Sequence, residues 1–346
     1  MATASNAATG QRPAPALGQR VFITGANGFI GRAMAERFGE LGATVSGVDL
    51  VADPERGVVA GDVTAPETWA EALDDVDVVV HTAALLGSAY SLERAWRINV
   101  FGTHQVLRAA IAAGVKRFVH FSSLLAYGFD FPDGVDETYP AHVDYDPYID
   151  TKVNSEAVVL AAHAAGEIDV TAIRPGDVWG PGSVWVRVPL EEMAKPTGFP
   201  IPDGGRGIFT PVYIDNFVDG MVLVLANPEE TRGQIFNISD GIGIPCSDYF
   251  GRLAEIGGGK VVKLPIRIAA PLAGAVGGLI RKLGTHSDLA PGTMHMLNRR
   301  GTISIEKARA RLGYEPLVSL DEGFATVKEW AAAEGMAAAP NTREVA

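Results

Sequence analysis

A glycine-rich turn between a strand-like run and a helix-like run is the feature that most constrains this chain. Residues 21–24 form a short apolar run typical of a buried strand, and Gly25, Gly28 and Gly31 follow at intervals of three. The first glycine permits a tight turn, the second lets backbone N–H groups approach a pyrophosphate, and the third lets the helix pack closely on the strand. The run therefore predicts a dinucleotide-binding turn.

A second strand-like run, 44–48, is followed by Asp49, which lies 18 residues after Gly31. At about this spacing an acidic residue accepts hydrogen bonds from the hydroxyls of the adenosine ribose. That carboxylate would repel a 2′-phosphate, and positions 50–52 hold no Lys or Arg to neutralise it. The alternative is that Asp49 merely ends the strand. The pattern predicts NAD rather than NADP as the cofactor.

Composition narrows the class of protein. The chain has 346 residues, 47% of them hydrophobic, with a net charge of −12 and no basic run, which argues against nucleic acid or an anionic membrane as a partner. The single cysteine, Cys246, excludes an intrachain disulfide and a cysteine metal cluster. We expect a small-molecule substrate, no metal site and a cytoplasmic location.

Strand-like and helix-like segments alternate from residue 20 to about 180, which predicts an α/β fold: a Rossmann-type doubly wound parallel sheet with a smaller, discontinuous carboxyl-terminal substrate-binding lobe. We expect a disordered tail at 1–17 and a frayed tail at 333–346. The NAD-binding domain would span 18–182 and receive 211–240, and the lobe would comprise 183–210 and 241–332. The candidate strands are 21–24, 44–48, 76–81, 117–122, 170–174 and 234–238, with helices at 91–113, 150–165 and 214–225.

The most apolar later segment is 268–280. It is too short to cross a bilayer and contains Pro271, so no integral membrane segment is expected. A buried or pocket-covering helix is the default expectation, and contact with a membrane surface is the alternative.

Three residues form a candidate catalytic set. Tyr148 and Lys152 stand at i and i+4 at the start of a predicted helix, and so share one face. A neighbouring ammonium is expected to lower the pKa of the phenol and make it a general base. Ser123 ends a strand-like run, where it would hydrogen-bond a reacting oxygen. Taken singly, these features are also explained by a surface helix pair and a strand end.

Together these residues resemble the extended short-chain dehydrogenase/reductase superfamily, and in particular its 3β-hydroxysteroid dehydrogenase-like branch. The resemblance covers residues 20–330. The motifs that carry it are TGANGFIG (24–31), GDV (61–63), HTAA (81–84), INVFGT (98–103), FSSLLAYG (121–128), YIDTK (148–152), IRPGDVWGPG (173–182) and TPVYIDNFVDG (210–220).

The resemblance implies roles for individual residues. Tyr148 would be the catalytic base or acid, Lys152 would lower its pKa and bind the nicotinamide ribose, and Ser123 would orient the substrate oxygen. It also implies a homodimer paired through the helices around 91–113 and 150–165. The expected cofactor-binding residues are Gly25, Asn27, Gly28, Phe29, Ile30, Gly31, Asp49, Asp62, Val63, Thr82, Ala83, Ala84, Asn99, Tyr148, Lys152, Pro175 and Val178.

Departures from the sugar-nucleotide members of the superfamily bear on the substrate. Those members usually carry Arg where this chain has Phe209 and Asn where it has Asp177, and both changes weaken the binding of a diphosphate. Arg187 or Arg206 would be able to compensate. The expected substrate-binding residues are Leu85, Leu125, Asp177, Trp179, Trp185 and Phe209, with core packing as the alternative for the aromatic ones.

These observations predict an NAD-dependent oxidoreductase that interconverts a hydrophobic secondary alcohol and a ketone, with a 3β-hydroxysteroid as the favoured substrate. A sugar-nucleotide 4-epimerase or dehydratase is the alternative. Dehydratases commonly place Asp-Glu just after the catalytic Ser or Thr, where this chain has Leu124 and Leu125. A non-catalytic NAD-binding regulator is a third possibility, which the intact set of Ser123, Tyr148 and Lys152 argues against.

Overall fold

The computed structural model describes residues 15–285 and 287–338. Leu17 is buried, and its N–H donates to the Leu41 carbonyl oxygen at 2.7 Å. Near the other end, the Ala338 N–H donates to the Ile256 carbonyl oxygen at 2.8 Å. The disorder predicted for 1–17 and the fraying predicted for 333–346 stay predictions, and residues 1–14 and 339–346 lie outside the described residues.

A seven-stranded parallel sheet forms the centre of the protein. The strands of the described residues, which include those outside this sheet, are, in chain order, β1 (Arg20–Thr24), β2 (Thr44–Asp49), β3 (Val58–Ala60), β4 (Val78–His81), β5 (Arg117–Phe121), β6 (Asp169–Pro175), β7 (Asp177–Trp179), β8 (Phe199–Pro202), β9 (Ile208–Phe209), β10 (Pro211–Tyr213), β11 (Gln234–Ile238), β12 (Ile244–Pro245) and β13 (Val261–Leu264). The order across the central sheet is β3-β2-β1-β4-β5-β6-β11. The doubly wound fold predicted from the alternating pattern is confirmed.

The direction of winding reverses at β1, whose Val21 pairs with Val45 on one side and Val78 on the other. In open parallel sheets of this kind, ligands bind outside the carboxyl ends of the strands at such a switch point. The glycine turn that follows β1 lies at this place.

Helices cover both faces of the sheet. The helices are, in chain order, α1 (Phe29–Glu40), α2 (Leu92–Trp96), α3 (Thr103–Ala112), α4 (Pro147–Ala164), α5 (Val184–Met193), α6 (Ile214–Ala226), α7 (Pro228–Thr231), α8 (Cys246–Gly257), α9 (Ile266–Lys282), α10 (Pro291–Met296), α11 (Glu306–Leu312) and α12 (Leu320–Ala333). Helices α1 and α6 share one hydrophobic core with alternate residues of β1, and α3 and α4 share the other.

One predicted helix, 91–113, is divided. A π-helical turn, Arg97–Gly102, separates α2 from α3. Asn99 lies in this turn and is buried. π-Turns occur frequently at functional sites, and this one brings a polar side chain to the sheet edge where the strands end.

The second lobe contains short strand pairs outside the central sheet, together with helices α5, α8, α9 and α10. Strand β10 pairs with β7, β13 with β8 and β12 with β9. The core of this lobe is continuous with one core of the central sheet, because a single buried cluster extends from Val21 to Tyr249 and Phe324. The lobe is therefore fused to the sheet domain.

Helix α9 departs from the default expectation of a buried helix. Ala273 and Gly277 are buried, whereas Leu272 and Leu279 on the same helix are 49% and 60% exposed. Among the described residues, no helix is both long enough and apolar enough to cross a membrane.

A buried ion pair joins α4 to β6. Arg174 donates from Nε and Nη2 to the Glu156 carboxylate at 3.0 and 2.6 Å, and the side chains of both residues are almost fully buried. The Arg174 guanidinium also lies over the Tyr127 ring, 4.6 Å from its centroid. Removing one charge would leave the other buried and unpaired.

We expect Glu156→Gln to lower the free energy of unfolding by about 3 kcal/mol, because the uncompensated guanidinium stays buried. Chemical denaturation followed by circular dichroism measures this. The matched control is Glu40→Gln, which removes an exposed partner of Arg37 and should change stability by less than about 0.5 kcal/mol. Equal effects of the two substitutions would contradict the prediction.

Candidate active site

The glycine turn forms a cradle that side chains would fill. Gly25 has a φ of +71°, and a Cβ there would lie 2.9 Å from Thr82 Oγ1. A Cβ on Gly31 would overlap the Gly25 carbonyl oxygen. Helix α1 follows Gly28 with no side-chain cap and no acidic residue in its first turn. A pyrophosphate fits this end of the helix, where the helix dipole is positive.

Asp49 ends β2 beside this cradle. Its Oδ2 accepts a hydrogen bond from the Asn27 N–H at 2.9 Å, and its Oδ1 accepts one from the Leu50 N–H at 2.7 Å. The carboxylate therefore braces the glycine turn at the place where an adenosine ribose is expected to bind.

Arg56 is a neighbour that the sequence interpretation missed. Its Nη1 lies 3.4 Å from Asn27 Oδ1 and 3.9 Å from Asp53 Oδ2. The sequence pattern predicts a basic partner only at 50–52, directly after Asp49. A turn after β2 brings the Arg56 guanidinium back to the cradle. It is the residue placed to meet a 2′-phosphate if the Asp49 charge were removed.

The end of β4 is tied to the end of β1 through side-chain hydroxyls. Thr82 Oγ1 donates to the Thr24 carbonyl oxygen at 2.7 Å, and the Ala83 N–H donates to Thr24 Oγ1 at 3.2 Å. His81 bridges Thr24 Oγ1 and Thr103 Oγ1 at 2.7 and 2.9 Å. Burial, together with the positive charge of Lys152, lowers the pKa of His81 to about 3, so this bridge is neutral.

Asp62 participates in a local turn. Its Oδ1 accepts the Thr64 N–H at 2.8 Å, and its carbonyl oxygen accepts the Trp69 indole N–H at 2.8 Å. Its predicted role in binding the cofactor stays a prediction, as does that of the neighbouring Val63.

Asn99 connects the loop after β4 to α4. Its Oδ1 accepts the Leu85 N–H at 2.7 Å, and its Nδ2 donates to the Leu85 carbonyl oxygen and to Thr151 Oγ1, each at 3.0 Å. Both hydrogen-bonding groups of the Leu85 backbone are thus held by one side chain. Thr151 was missed because a threonine inside a helix carries no pattern of its own.

The three candidate catalytic residues come together. Ser123 follows β5 and hydrogen bonds to Tyr148 on the first turn of α4. Lys152 Nζ is 5.9 Å from the centroid of the Tyr148 ring and donates to the Phe121 carbonyl oxygen at 2.7 Å. Ser123 Oγ also accepts the Leu125 N–H at 3.1 Å.

The expected lowering of the Tyr148 pKa is wrong for the protein by itself. Burial raises the pKa of Tyr148 to about 12, the charges of Asp177 and Asp146 act in the same direction, and the hydrogen bond with Ser123 opposes them. Burial lowers the pKa of Lys152 to about 8. The sequence argument considered only the Tyr-Lys pair, whereas desolvation of the phenol outweighs it.

Asp177 is paired, which the sequence did not reveal. Its carboxylate forms a buried ion pair with Arg299 and accepts the Thr210 N–H at 2.9 Å. Arg299 also donates to the Met296 carbonyl oxygen at 3.1 Å. Asp177 is therefore not the unpaired negative charge that was expected to repel a diphosphate. Its partner, Arg299, lies 122 positions away in the chain.

The aromatic residues expected in the substrate site lie in a packed cluster. Phe209 stacks on Tyr249 with 3.9 Å between ring centroids, and Trp179 packs against Tyr249 and Phe324. Trp179 and Phe209 are 0% exposed, which favours core packing over pocket lining. Trp185 is partly exposed at the edge of this cluster, with its ring 5.1 Å from that of Phe209.

Apolar residues surround the catalytic end of α4 instead. Leu124 and Leu125 are buried in a cluster against which the Tyr148 ring and Met296 pack. Leu125, one of the expected substrate residues, therefore belongs to the apolar cluster against which Tyr148 packs. The remaining expected cofactor residues lie near the carboxyl ends of β1, β4 and β6: Phe29 and Ile30 begin α1, Ala84 follows β4, Pro175 ends β6 and Val178 lies in β7.

Neither arginine proposed as a phosphate ligand is assembled with these groups. Arg187 pairs with Glu334 at 3.4 Å and stacks on Trp330 on the outside of α5. Arg206 is exposed in the turn after β8.

The model of the family described as NAD dependent epimerase/dehydratase family matches residues 21–239. The chain belongs to this family. It is an NAD-dependent oxidoreductase, and the cradle described above fits NAD. The match ends near β11, so it covers the central sheet and the catalytic residues.

Individual relatives refine the comparison. A 3-beta-hydroxysteroid dehydrogenase from Mycolicibacterium neoaurum is 32% identical over 331 residues, covering 88% of this chain and 89% of that protein. A 4-hydroxy-2-methyl-3-oxo-4-farnesyl-3,4-dihydroquinoline-1-oxide ketoreductase from Stigmatella aurantiaca is 29% identical over 337 residues, covering 93% and 99%. The resemblance to the 3β-hydroxysteroid dehydrogenase-like branch is confirmed.

A solved structure shares the fold. A UDP-glucuronic acid 4-epimerase from Bacillus cereus, in complex with UDP-glucuronic acid and NAD, has a TM-score of 0.73 at 22% identity. The match covers 91% of this chain and 99% of that one. At this identity the likeness establishes the architecture alone.

We expect Asp49→Asn to relax the preference for NAD over NADP on the order of tenfold, because the amide keeps an acceptor for the turn but no longer repels a 2′-phosphate. Calorimetric titration with NAD and NADP measures both affinities. Adding Arg56→Gln should remove the gain in NADP affinity. An unchanged ratio of affinities in Asp49→Asn would refute the assigned role of Asp49.

Proposed function

We propose that the protein interconverts an apolar secondary alcohol and its ketone, with 3β-hydroxysteroids as the favoured substrate class. The observation that carries this proposal is that the surroundings of Tyr148 are apolar, since its ring and the partly exposed Met296 pack against a buried cluster that contains Leu124 and Leu125. A nucleotide sugar would bring a diphosphate and hydroxyl groups that need polar partners, whereas a fused apolar ring system would be stabilised by these side chains.

Asp177 and Arg299 form a buried ion pair, so the pair neither repels nor attracts a diphosphate. The relatives support the choice of an apolar substrate. The named activities of two relatives, a steroid dehydrogenase and a farnesylated quinoline ketoreductase, concern bulky apolar substrates.

Each catalytic side chain has a defined part in alcohol oxidation. When bound, NAD supplies the acceptor for the hydride that leaves the carbinol carbon. Tyr148 takes the hydroxyl proton, and Ser123, which hydrogen bonds to Tyr148, holds the same oxygen. The Lys152 charge, 5.9 Å from the phenol ring, stabilises the phenolate. Ketone reduction reverses these transfers.

Substrate class is tested by mixing the protein and NAD with two panels, 3β-hydroxysteroids with related apolar alcohols in one and nucleotide sugars in the other. We expect net NADH formation from the first panel. Conversion of a nucleotide sugar without net NADH, combined with silence of the first panel, would favour an epimerase and overturn the proposal.

Tyr148→Phe should lower turnover on the order of a thousandfold while leaving the NAD dissociation constant within a few fold, since only the proton acceptor is lost. The matched control is Tyr145→Phe, three residues earlier and 97% exposed, which should retain activity. Loss of NAD binding in Tyr148→Phe would show that the residue serves the cofactor rather than the proton.

The pH profile tests the pairing of Tyr148 with Lys152. The active form for oxidation has the phenolate with the ammonium. Because the pKa of Tyr148 is about 12 and that of Lys152 about 8, this form increases with pH up to about 8 and is constant above it. We expect log kcat/KM for oxidation to rise and then level near pH 8.

Lys152→Arg provides the control for this profile, because a guanidinium keeps its charge throughout the range. In that variant the rise should continue beyond pH 9, about tenfold per unit. A plateau at the same pH in both proteins would exclude Lys152 as its origin.

A homodimer paired through α2–α4 is also proposed. Leu92, Trp96 and Phe101 line an open apolar groove, and each is between 43% and 49% exposed. Burial of such side chains against a second copy would stabilise a dimer. Light scattering should give about twice the chain mass of 36.4 kDa, and Trp96→Arg should give the monomer. Leu317→Arg, at an exposed leucine in another part of the chain, should stay dimeric.

A further inference from the structure

An apolar stripe runs along the exposed side of α9. Its members are spaced four, four, three and four residues apart, which places them on one helix face. Each is between 39% and 76% exposed. The stripe consists of Ile268, Leu272, Val276, Leu279 and Leu283.

The segment that contains the stripe carries basic residues only, although the Asp203 carboxylate accepts the N–H of Ile266, at the start of α9, at 2.8 Å. No acidic residue occurs between Glu255 and Asp288, although the chain as a whole carries a net charge of −12. Five basic residues occur in the same interval: Lys260, Lys263, Arg267, Arg281 and Lys282. Arg267 and Lys282, at the two ends of α9, are exposed. Basic residues thus flank an exposed apolar stripe on a protein whose net charge is negative.

We propose that this face docks on an anionic phospholipid bilayer. A helix with an exposed apolar stripe and basic ends lies in the plane of the interface, with the apolar side chains among the acyl chains and the cationic groups at the phosphates. Leu272 and Leu279 would enter the bilayer, and Arg267 and Lys282 would bind its headgroups.

A second copy of this chain fits the stripe less well. Two-fold pairing of α9 with itself would bring the basic ends, Arg267 and Lys282, of the two copies together in either relative direction of the helices. Like charges in contact are repulsive, and no acidic residue of this segment is present to offset them. Anionic lipid supplies the complementary charge.

The proposed docking face is one helix layer from the catalytic tyrosine. Helix α9 packs on the segment that leads into α10, since a Cβ on Gly277 would overlap the Leu289 carbonyl oxygen. At the start of α10, a Cβ on Gly292 would overlap the carboxylate of Asp146, which caps α4. Met296, at the end of α10, packs in the cluster that includes Tyr148.

This arrangement would let an apolar substrate dissolved in the bilayer reach the site from the docked face. That step rests on the proposed function, whereas docking itself does not. The experiment therefore measures binding of the full chain to vesicles without NAD or substrate, so that a failure of the steroid assay leaves its result unaffected.

Co-sedimentation is carried out with vesicles of phosphatidylcholine alone and with vesicles that also contain phosphatidylserine. We expect the protein to bind the anionic vesicles. Its affinity for neutral vesicles, or for anionic vesicles at high salt, should be lower on the order of tenfold. A protein that stays in the supernatant with anionic vesicles would overturn the proposal.

Two double variants and one control separate the contributions. Leu272→Asn with Leu279→Asn removes apolar contact, and Arg267→Gln with Lys282→Gln removes charge; each pair should weaken binding on the order of tenfold or more. Leu317→Asn, at a leucine of comparable exposure outside α9, should bind as the parent does. Thermal melts check folding of each variant.

Unchanged vesicle binding by the Leu272/Leu279 variant would overturn the proposal. If that variant instead shows a lower mass in light scattering, the stripe is an interface between copies of the chain. NADH formation with a water-soluble alcohol, where the parent shows it, should be retained by all three variants.

Discussion

Helix α4 carries both Tyr148 and Lys152, and a buried hydrogen bond fixes it to the sheet. Lys152 Nζ donates to the carbonyl oxygen of Phe121, the last residue of β5, and Ser123 follows two residues later. Since the ammonium is buried, losing this bond would leave a charge without a partner. The relative placement of Ser123 and Tyr148 therefore depends on the lysine whose charge is proposed to stabilise the phenolate.

Around Lys152, neutral polar side chains hold the neighbouring strands and helices in place. His81 is uncharged and links β1, β4 and α3 through threonine hydroxyls, and Asn99 links the loop after β4 to Thr151 of α4. A second buried cation at these places would raise the cost of protonating Lys152. The neutrality of His81 and Asn99 is thus part of what allows Lys152 to keep a proton near physiological pH.

Much of the fold and of the site follows from local sequence patterns, because the glycine turn, the β-branched strands and the Tyr-Lys spacing involve residues close together in the chain. Long-range contacts could not be predicted from such patterns. Arg299 pairs with Asp177, which is 122 positions away, and a turn brings Arg56 close to Asn27. The raised pKa of Tyr148 was missed for a related reason, since burial is a property of the assembled chain. Trp179 shows the same limit, as periodicity does not separate an aromatic core from a pocket wall.

The net charge of the protein and the charges close to α9 would affect its interaction with a bilayer differently. At physiological ionic strength, electrostatic interactions are screened over about 8 Å, so a bilayer would respond to the residues nearest it rather than to the total of −12. The excess of acidic groups elsewhere then disfavours every other orientation on an anionic surface. If α9 docks as proposed, Arg267 and Lys282 would provide attraction and, together with the acidic remainder of the protein, would favour an orientation in which α9 faces the lipid and α10 lies between it and Tyr148.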